Sequence, residues 1–334
     1  MTIVGLGPHG EPAAAPERVT LLPQDIAAAR ARHLRVAVVM HTVQSDWAKH
    51  LIQGIVAVLG DCGAIVMETV DCDFSPDLQI AALDRLRGER LDAIISLPVD
   101  NAVVAEAHKR VSAAGIKLVL VDNAPTGLLP GKDYVSLISA DNFGLGKMAA
   151  ELLAQQLPEN AKAGLIGFDA DFFATNEREL AFARWMEINR PDVGLTTTRF
   201  KAVASAGEAT AHMLDANPDL AGMFVVWDTP CVEVLSTLTT RDMAIPVTTV
   251  DLGQEVSISL AAGGPVIGIS AQQPLLQGQA VARTTITTLL GRGCPEWVAL
   301  PGLAVTRETV AESYQTIWRT PAPREILRGL DLLT

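Results

Sequence analysis

Cysteine is scarce, and nothing about its spacing suggests a shared centre. Cys62, Cys72, Cys231 and Cys294 contain no C-x-x-C pair, so the frameworks of zinc ribbons and dithiol redox centres are missing. Cys62 and Cys72 bracket a predicted strand, 64–70, whose ends lie about 20 Å apart at roughly 3.3 Å per residue. That exceeds the reach of a disulfide, and all four are expected as free thiols. No apolar run approaches the ~18 residues of a membrane span. There is no G-x-G-x-x-G fingerprint, no phosphate-cradling loop ending in Gly-Lys-Ser/Thr and no G-x-S-x-G elbow. No Ser/His/Asp order can be placed at strand ends and no metal-ligand spacing occurs, so neither a cofactor nor a metal is expected. Net charge is −12 with no basic cluster or helix-turn-helix pattern, which makes nucleic acid and anionic membrane surfaces poor partners. Met1–His33 lacks a charged end followed by the 7–15-residue apolar core of a signal peptide.

What is present is a repeated strand-helix rhythm. Val36–Met40 is a continuous apolar run, the pattern of a strand buried on both faces of a parallel sheet. After a polar turn, Leu51, Ile52, Ile55, Val56, Val58 and Leu59 recur at helical spacing. Ligands of open α/β sheets lie outside the carboxyl ends of strands. The loop His41–Trp47 therefore occupies a ligand-facing position, with His41 at its edge. Further strands are expected near Ala64, Asp92 and Ile116, with helix faces Leu78, Ile80, Leu83, Leu86 and Val103, Val104, Ala107, Val111. Polar residues gather at the strand ends: Asp71, Asp73, Asp100, Asn101, Asp122 and Asn123. Each alone is an ordinary turn or N-cap residue; their common edge is what suggests a site.

A short strand 134–139 and a helix 143–157 precede a restart of the rhythm, with strands near 163–168, 195–201, 223–227, 247–250 and 266–269. The loops that end them carry Asp169, Asp171, Phe172, Phe173, Asn176 and Arg178, then Trp227-Asp228, Asp251 and Gln272-Gln273. A long helix 274–291, a strand-like 298–303 and a helix 307–318 follow. Gly5–Pro16 reads as loosely ordered, and Pro23–Arg32 as a short capped helix. Two α/β halves with parallel, doubly wound sheets are the simplest architecture.

In this order the segments resemble the type I periplasmic solute-binding proteins of ribose-type ABC importers, from about Leu34 to Trp318. The marks are Ser45-Asp46-Trp47, the run ending Asp122-Asn123, Ser139–Asn142 with Gly146, Asn176-Glu177-Arg178 with Phe182, Phe224–Asp228, Val250-Asp251 and Ala271–Pro274. The resemblance implies two Rossmann-like lobes joined by a three-stranded hinge, with a sugar clamped between them. It implies an N-terminal extension 1–33, an N-terminal lobe 34–140 plus 274–298, a C-terminal lobe 141–273 plus 299–318, and a tail 319–334. It also implies ligand contacts at Ser45, Trp47, Asp122, Asn123, Phe173, Asn176, Arg178, Trp227, Asp251 and Gln272, with His41, Asp100 and Asp171 as further candidates. Trp47 replaces the family's usual Phe, Asn123 stands where Arg is common, and Trp227 stands where Asn is common.

The residue types suit a small neutral carbohydrate independently of that resemblance. Carboxylates accept from hydroxyls, while Arg and amides hold the remaining acceptors. Aromatic faces add contact area at little entropic cost. The alternative for Trp47 and Trp227 is core packing, and for Arg178 a surface helix position. The implied function is non-catalytic delivery of a sugar or sugar alcohol to a membrane permease, a chemoreceptor or both, by a monomer working in the periplasm. The alternatives are a ligand sensor of the lac-repressor effector type without a DNA-binding head, and a two-lobed α/β enzyme.

Overall fold

The computed structural model describes residues 3–333. They form two compact units: residues 3–140, 171–174 and 273–300, and residues 141–170, 175–272 and 301–333.

The first unit opens with a 3-10 turn, Pro16–Val19, and α1 (Pro23–Arg30). Then follow β1 (Arg35–Met40), α2 (Asp46–Asp61), β2 (Ile65–Asp71), α3 (Pro76–Leu86), β3 (Ala93–Ser96), α4 (Ala105–Ala113), β4 (Lys117–Val121) and β5 (Leu137–Ala140). The second unit supplies α5 (Asn142–Ala154), β6 (Lys162–Phe168), α6 (Phe173–Asn189, whose start belongs to the first unit), β7 (Gly194–Phe200), α7 (Ala206–Ala216), β8 (Leu220–Val225), α8 (Asp228–Thr240), β9 (Val247–Val250), α9 (Gln254–Ala261) and β10 (Val266–Ala271). The chain returns to the first unit for α10 (Pro274–Leu289) and β11 (Trp297–Leu300). It ends in the second with β12 (Leu303–Val305), α11 (Val310–Trp318) and α12 (Arg324–Gly329).

Each unit holds a doubly wound six-stranded sheet. The orders, β11-β5-β4-β3-β1-β2 and β12-β10-β9-β8-β6-β7, match strand for strand. All pairings are parallel except β10–β12. Central strands such as β1 and β3 are buried along their length, which is why they read as unbroken apolar runs. The edge strands β2 and β7 alternate and carry Glu68 and Thr196–Arg199, a composition that discourages edge-to-edge pairing.

Several sequence expectations change here. Leu78 and Val103 are 52% and 58% exposed. The inward positions belong instead to Gln79, whose amide bonds Leu97 O and Val99 N–H at 2.9 Å each, and to His108. A buried amide or imidazole with all its bonds made within the protein looks polar in sequence and behaves as core. The strand-like stretch 298–303 is two strands in different sheets, broken at Pro301-Gly302. The segment expected to be loose is held at the β11 edge: Ala14 N–H donates to Trp297 O at 2.9 Å, and Ala14 O accepts from Ala299 N–H at 3.1 Å. The tail after Trp318 contains α12, with Ile326 fully buried in the second unit's core. All four cysteines are free thiols.

Candidate functional site

In the first unit the candidate residues sit at the carboxyl ends of β1, β3 and β4. Ser45 N-caps α2, its Oγ accepting from Ala48 N–H at 3.1 Å, so capping accounts for part of its chemistry. One residue into that helix, Trp47 is 7% exposed and packs with the core of β1, yet its Nε1 has no partner. His41 contacts three rings: Phe74 edge-on at 4.9 Å, Trp47 edge-on at 6.0 Å and Phe172 at 6.4 Å. Burial depresses its imidazole to about 4, against the pull of Asp71, so it is neutral across the physiological range.

Asp122 follows β4 with φ +53°, a left-handed backbone that Asp tolerates better than most residues. Its Oδ1 accepts from Gln277 Nε2 at 2.8 Å and from Ala140 N–H at 3.4 Å. Asn123 donates to Pro98 O at 3.0 Å and accepts from Phe173 N–H at 2.9 Å. Asp171 is joined to Asn101 twice, at 3.0 Å through both backbone and side chain. The Asp100 carboxylate accepts from the N–H groups of Ala102 and Val103 at 2.6 and 2.7 Å and so shapes its own loop. Asp100, Asn123, Asp171 and Phe173 are thus held by internal bonds, whereas His41 Nδ1, Trp47 Nε1 and Asn101 Oδ1 are buried without a partner.

The second unit repeats the geometry at β6, β8, β9 and β10. Asp251 follows β9, the topological counterpart of β4, again with a left-handed backbone at φ +71°. Its Oδ1 also accepts from a glutamine: Gln272 Nε2 at 2.8 Å, with Gln272 Oε1 buried and unpartnered. Arg178, on the second turn of α6, is buried. Its Nε donates to Asn142 Oδ1 at 2.9 Å and its guanidinium reaches Val226 O at 3.3 Å. Burial raises the Asp251 pKa, while Arg178 and Gln272 oppose the rise. Asp228 is pushed well above the carboxylate range by burial and by Asp251, against hydrogen bonds from Thr229 and Gly253. Burial followed by repulsion from Asp141 also raises Glu177.

Trp227 is half-buried, 5.2 Å from both Phe168 and Phe200, so part of its ring is core. Asn176 lies half-buried on the first turn of α6. Gln277 and the rings of Phe74 and Phe168 are neighbours that the sequence did not single out, while Asn142, Phe172 and Asp228, quoted in its motifs, were not among the expected ligand contacts. Gln277 lies one turn beyond Pro274 in a helix that also carries Gln279, Arg283 and several threonines, so its polarity alone did not mark it. Among the described residues no group of three His, Cys, Asp or Glu could hold a metal, and no helix is long and apolar enough to cross a membrane.

Matched parallel sheets with polar groups at the carboxyl ends of their strands define a two-unit α/β ligand-binding protein. The sequence matches the family described as periplasmic binding protein domain over residues 36–293, and the chain belongs to that family. It is 22% identical to the ribose import binding protein of Bacillus subtilis (strain 168) over 70% of this chain and 74% of that one. Its fold is similar to an ABC transporter solute-binding protein from Agrobacterium vitis bound with α-D-tagatopyranose. That match has a TM-score of 0.79, 22% identity, and covers 87% of this chain and 99% of the other. A second Agrobacterium vitis solute-binding protein, with bound allitol, gives a TM-score of 0.73 and 20% identity, covering 85% and 98%.

Proposed function

We propose that this protein is the solute-binding component of an ABC importer, taking a small neutral carbohydrate, a sugar or sugar alcohol, and presenting it to a membrane permease. It binds without catalysis, works as a monomer, and acts outside the cytoplasmic membrane, with a chemoreceptor as a second client. The ligand's contacts are the strand-end residues of both units, with Trp47 and Asp122 in the first and Arg178, Trp227, Asp251 and Gln272 in the second. One observation carries this reading. Within the second unit a buried guanidinium, a carboxylate and an amide with an unpaired oxygen meet at the ends of β9 and β10 and the start of α6. Such a set offers donors and acceptors to hydroxyls while its own charges largely offset one another. The sugar and the polyol bound by the two similar structures support the same ligand class.

The test is a thermal-shift screen against pentoses, hexoses and four- to six-carbon polyols. A ligand that binds only the folded form stabilises it by RT ln(1 + [L]/Kd), about 2.7 kcal/mol at a hundredfold excess over Kd. Arg178→Ala should then cost about 2–5 kcal/mol of binding, because its former partners stay buried and unpaired. A flat response across the panel, with turnover of some compound, would overturn the proposal.

A further inference from the structure

Trp47 and His41 stand apart from the other candidates of the first unit. The side chains of Asp100, Asn123 and Asp171 and the Phe173 N–H each have a protein partner, whereas the Trp47 indole Nε1 and the His41 Nδ1, like the Asn101 Oδ1, are buried with none. The two rings are neighbours, 6.0 Å apart and nearly perpendicular, walled by Phe74 and Phe172. A buried polar atom without a partner costs on the order of tenfold in folding equilibrium or more. Two of them on adjacent rings point to a partner that arrives from outside.

We propose that Trp47 and His41 together read hydroxyls of the solute: Trp47 Nε1–H donates to a hydroxyl oxygen, and that hydroxyl, or its neighbour on the next carbon, donates to His41 Nδ1. The inference rests on the carbohydrate reading above and deepens it by assigning the specificity of this subsite. The chemistry selects the group. An indole N–H can only donate, whereas an unprotonated imidazole nitrogen accepts. A hydroxyl does both through one atom. With His41 in the Nε2–H tautomer that this proposal assigns to it, a carboxylate would satisfy Trp47 but meet a second acceptor at His41 Nδ1, and an ammonium could not accept from Trp47 at all. Burial keeps His41 neutral, consistent with that role. Trp47 therefore acts through its edge, a hydrogen bond that a phenylalanine at this position could not make.

The experiment uses the full chain and isothermal calorimetry with erythritol, xylitol, allitol, D-ribose and D-tagatose, followed by monodeoxy analogues of whichever binds. Trp47→Phe and His41→Phe keep an aromatic ring and remove one polar atom each, and ligand-free melting curves check that both fold. Each variant should lose 10- to 100-fold in affinity for the parent ligand. For one particular deoxy analogue the variant and the wild-type protein should bind alike, because the lost atom and the lost hydroxyl are the same hydrogen bond. The amino and acid derivatives of the ligand should bind wild-type protein at least tenfold more weakly. Unchanged affinity in both folded variants, or losses that simply add to those of every deoxy analogue, would overturn the inference while leaving the carbohydrate reading intact. Failure of wild-type protein to bind any of the parent compounds would overturn both.

Discussion

Gly146 of α5 packs directly against the backbone of Arg178. A Cβ at that position would stand 2.7 Å from the Arg178 carbonyl carbon and 2.8 Å from its Cα, and closer still to its oxygen. The absence of a side chain lets α5 and α6 approach until Asn142, at the start of α5, reaches the Arg178 guanidinium. A residue four positions along α5 from Asn142 thus decides where a candidate ligand-binding group lies.

Gly146→Ala should therefore affect binding as well as stability. Overpacking of this kind costs about 1–3 kcal/mol, and displacement of Arg178 should weaken carbohydrate binding at least tenfold. Denaturant midpoints and calorimetry together check this. Native affinity in a destabilised variant would show that Arg178 is not held in place by the glycine contact.

The first unit has its own close approach. A Cβ on Gly278 of α10 would overlap the Leu51 carbonyl and lie 3.0 Å from Ile55 N, and one on Gly54 of α2 would meet the Leu275 carbonyl. Gly278→Ala should destabilise the protein by about 1–3 kcal/mol. It should also disturb the bond from neighbouring Gln277 to Asp122. Urea denaturation measures the first effect, and side-chain amide resonances of Gln277 report the second.

His108 makes stability fall in mild acid. It is fully buried, bonded to Ser96 Oγ at 2.9 Å and to Val104 O at 2.8 Å, and desolvation lowers it to about 4. The unfolded chain takes up a proton near pH 6.5 while the folded protein resists until about 4. Its contribution is therefore complete above 6.5 and lost as pH falls through that window. The loss is about 3 kcal/mol. Melting curves from pH 7.5 to 4.5 should show a shallower decline for His108→Gln than for the wild-type protein. Equal slopes would refute the buried, neutral assignment.

Asp228 works in the opposite direction. Its raised pKa means that the folded protein holds a proton which the unfolded chain has already released, so stability declines as pH rises above the ordinary carboxylate value. Asp228→Asn keeps an acceptor for the Thr229 hydroxyl, 3.1 Å away, and removes the repulsion with Asp251. The variant should be more stable than wild type at pH 8, with the difference shrinking towards pH 4. A wild-type protein that is the more stable of the two at pH 8 would contradict the assignment.

Much of the architecture is legible locally. Strands buried on both faces read as apolar runs, so β1 and β4 stand out whatever they pair with, while β9 and β10 keep apolar ends around buried hydroxyl residues, Thr248 and Thr249 in one and Ser270 in the other. The Asp and Gln residues that end β4, β9 and β10 follow such runs directly, and Ser45 and Asp141 are ordinary caps at the starts of α2 and α5. Resemblance to a family added the order of these pieces. Helix faces were less certain, because Leu78 and Val103 lie one position off the buried stripes, whose places Gln79 and His108 take.

What sequence alone determined, then, is the alternation of strands and helices and the polar residues at strand ends, since both follow from spacing along a few neighbouring residues. Tertiary structure alone decided which of those residues are free to bind. Gln277 meets Asp122 across 155 positions of chain, and Asn123 is engaged by a backbone N–H 50 positions away. Trp227 shares its ring with Phe168 and Phe200, while Trp47 finds no partner for its indole nitrogen. A polar side chain's chemistry depends on whether another buried group satisfies it, and no local pattern records that.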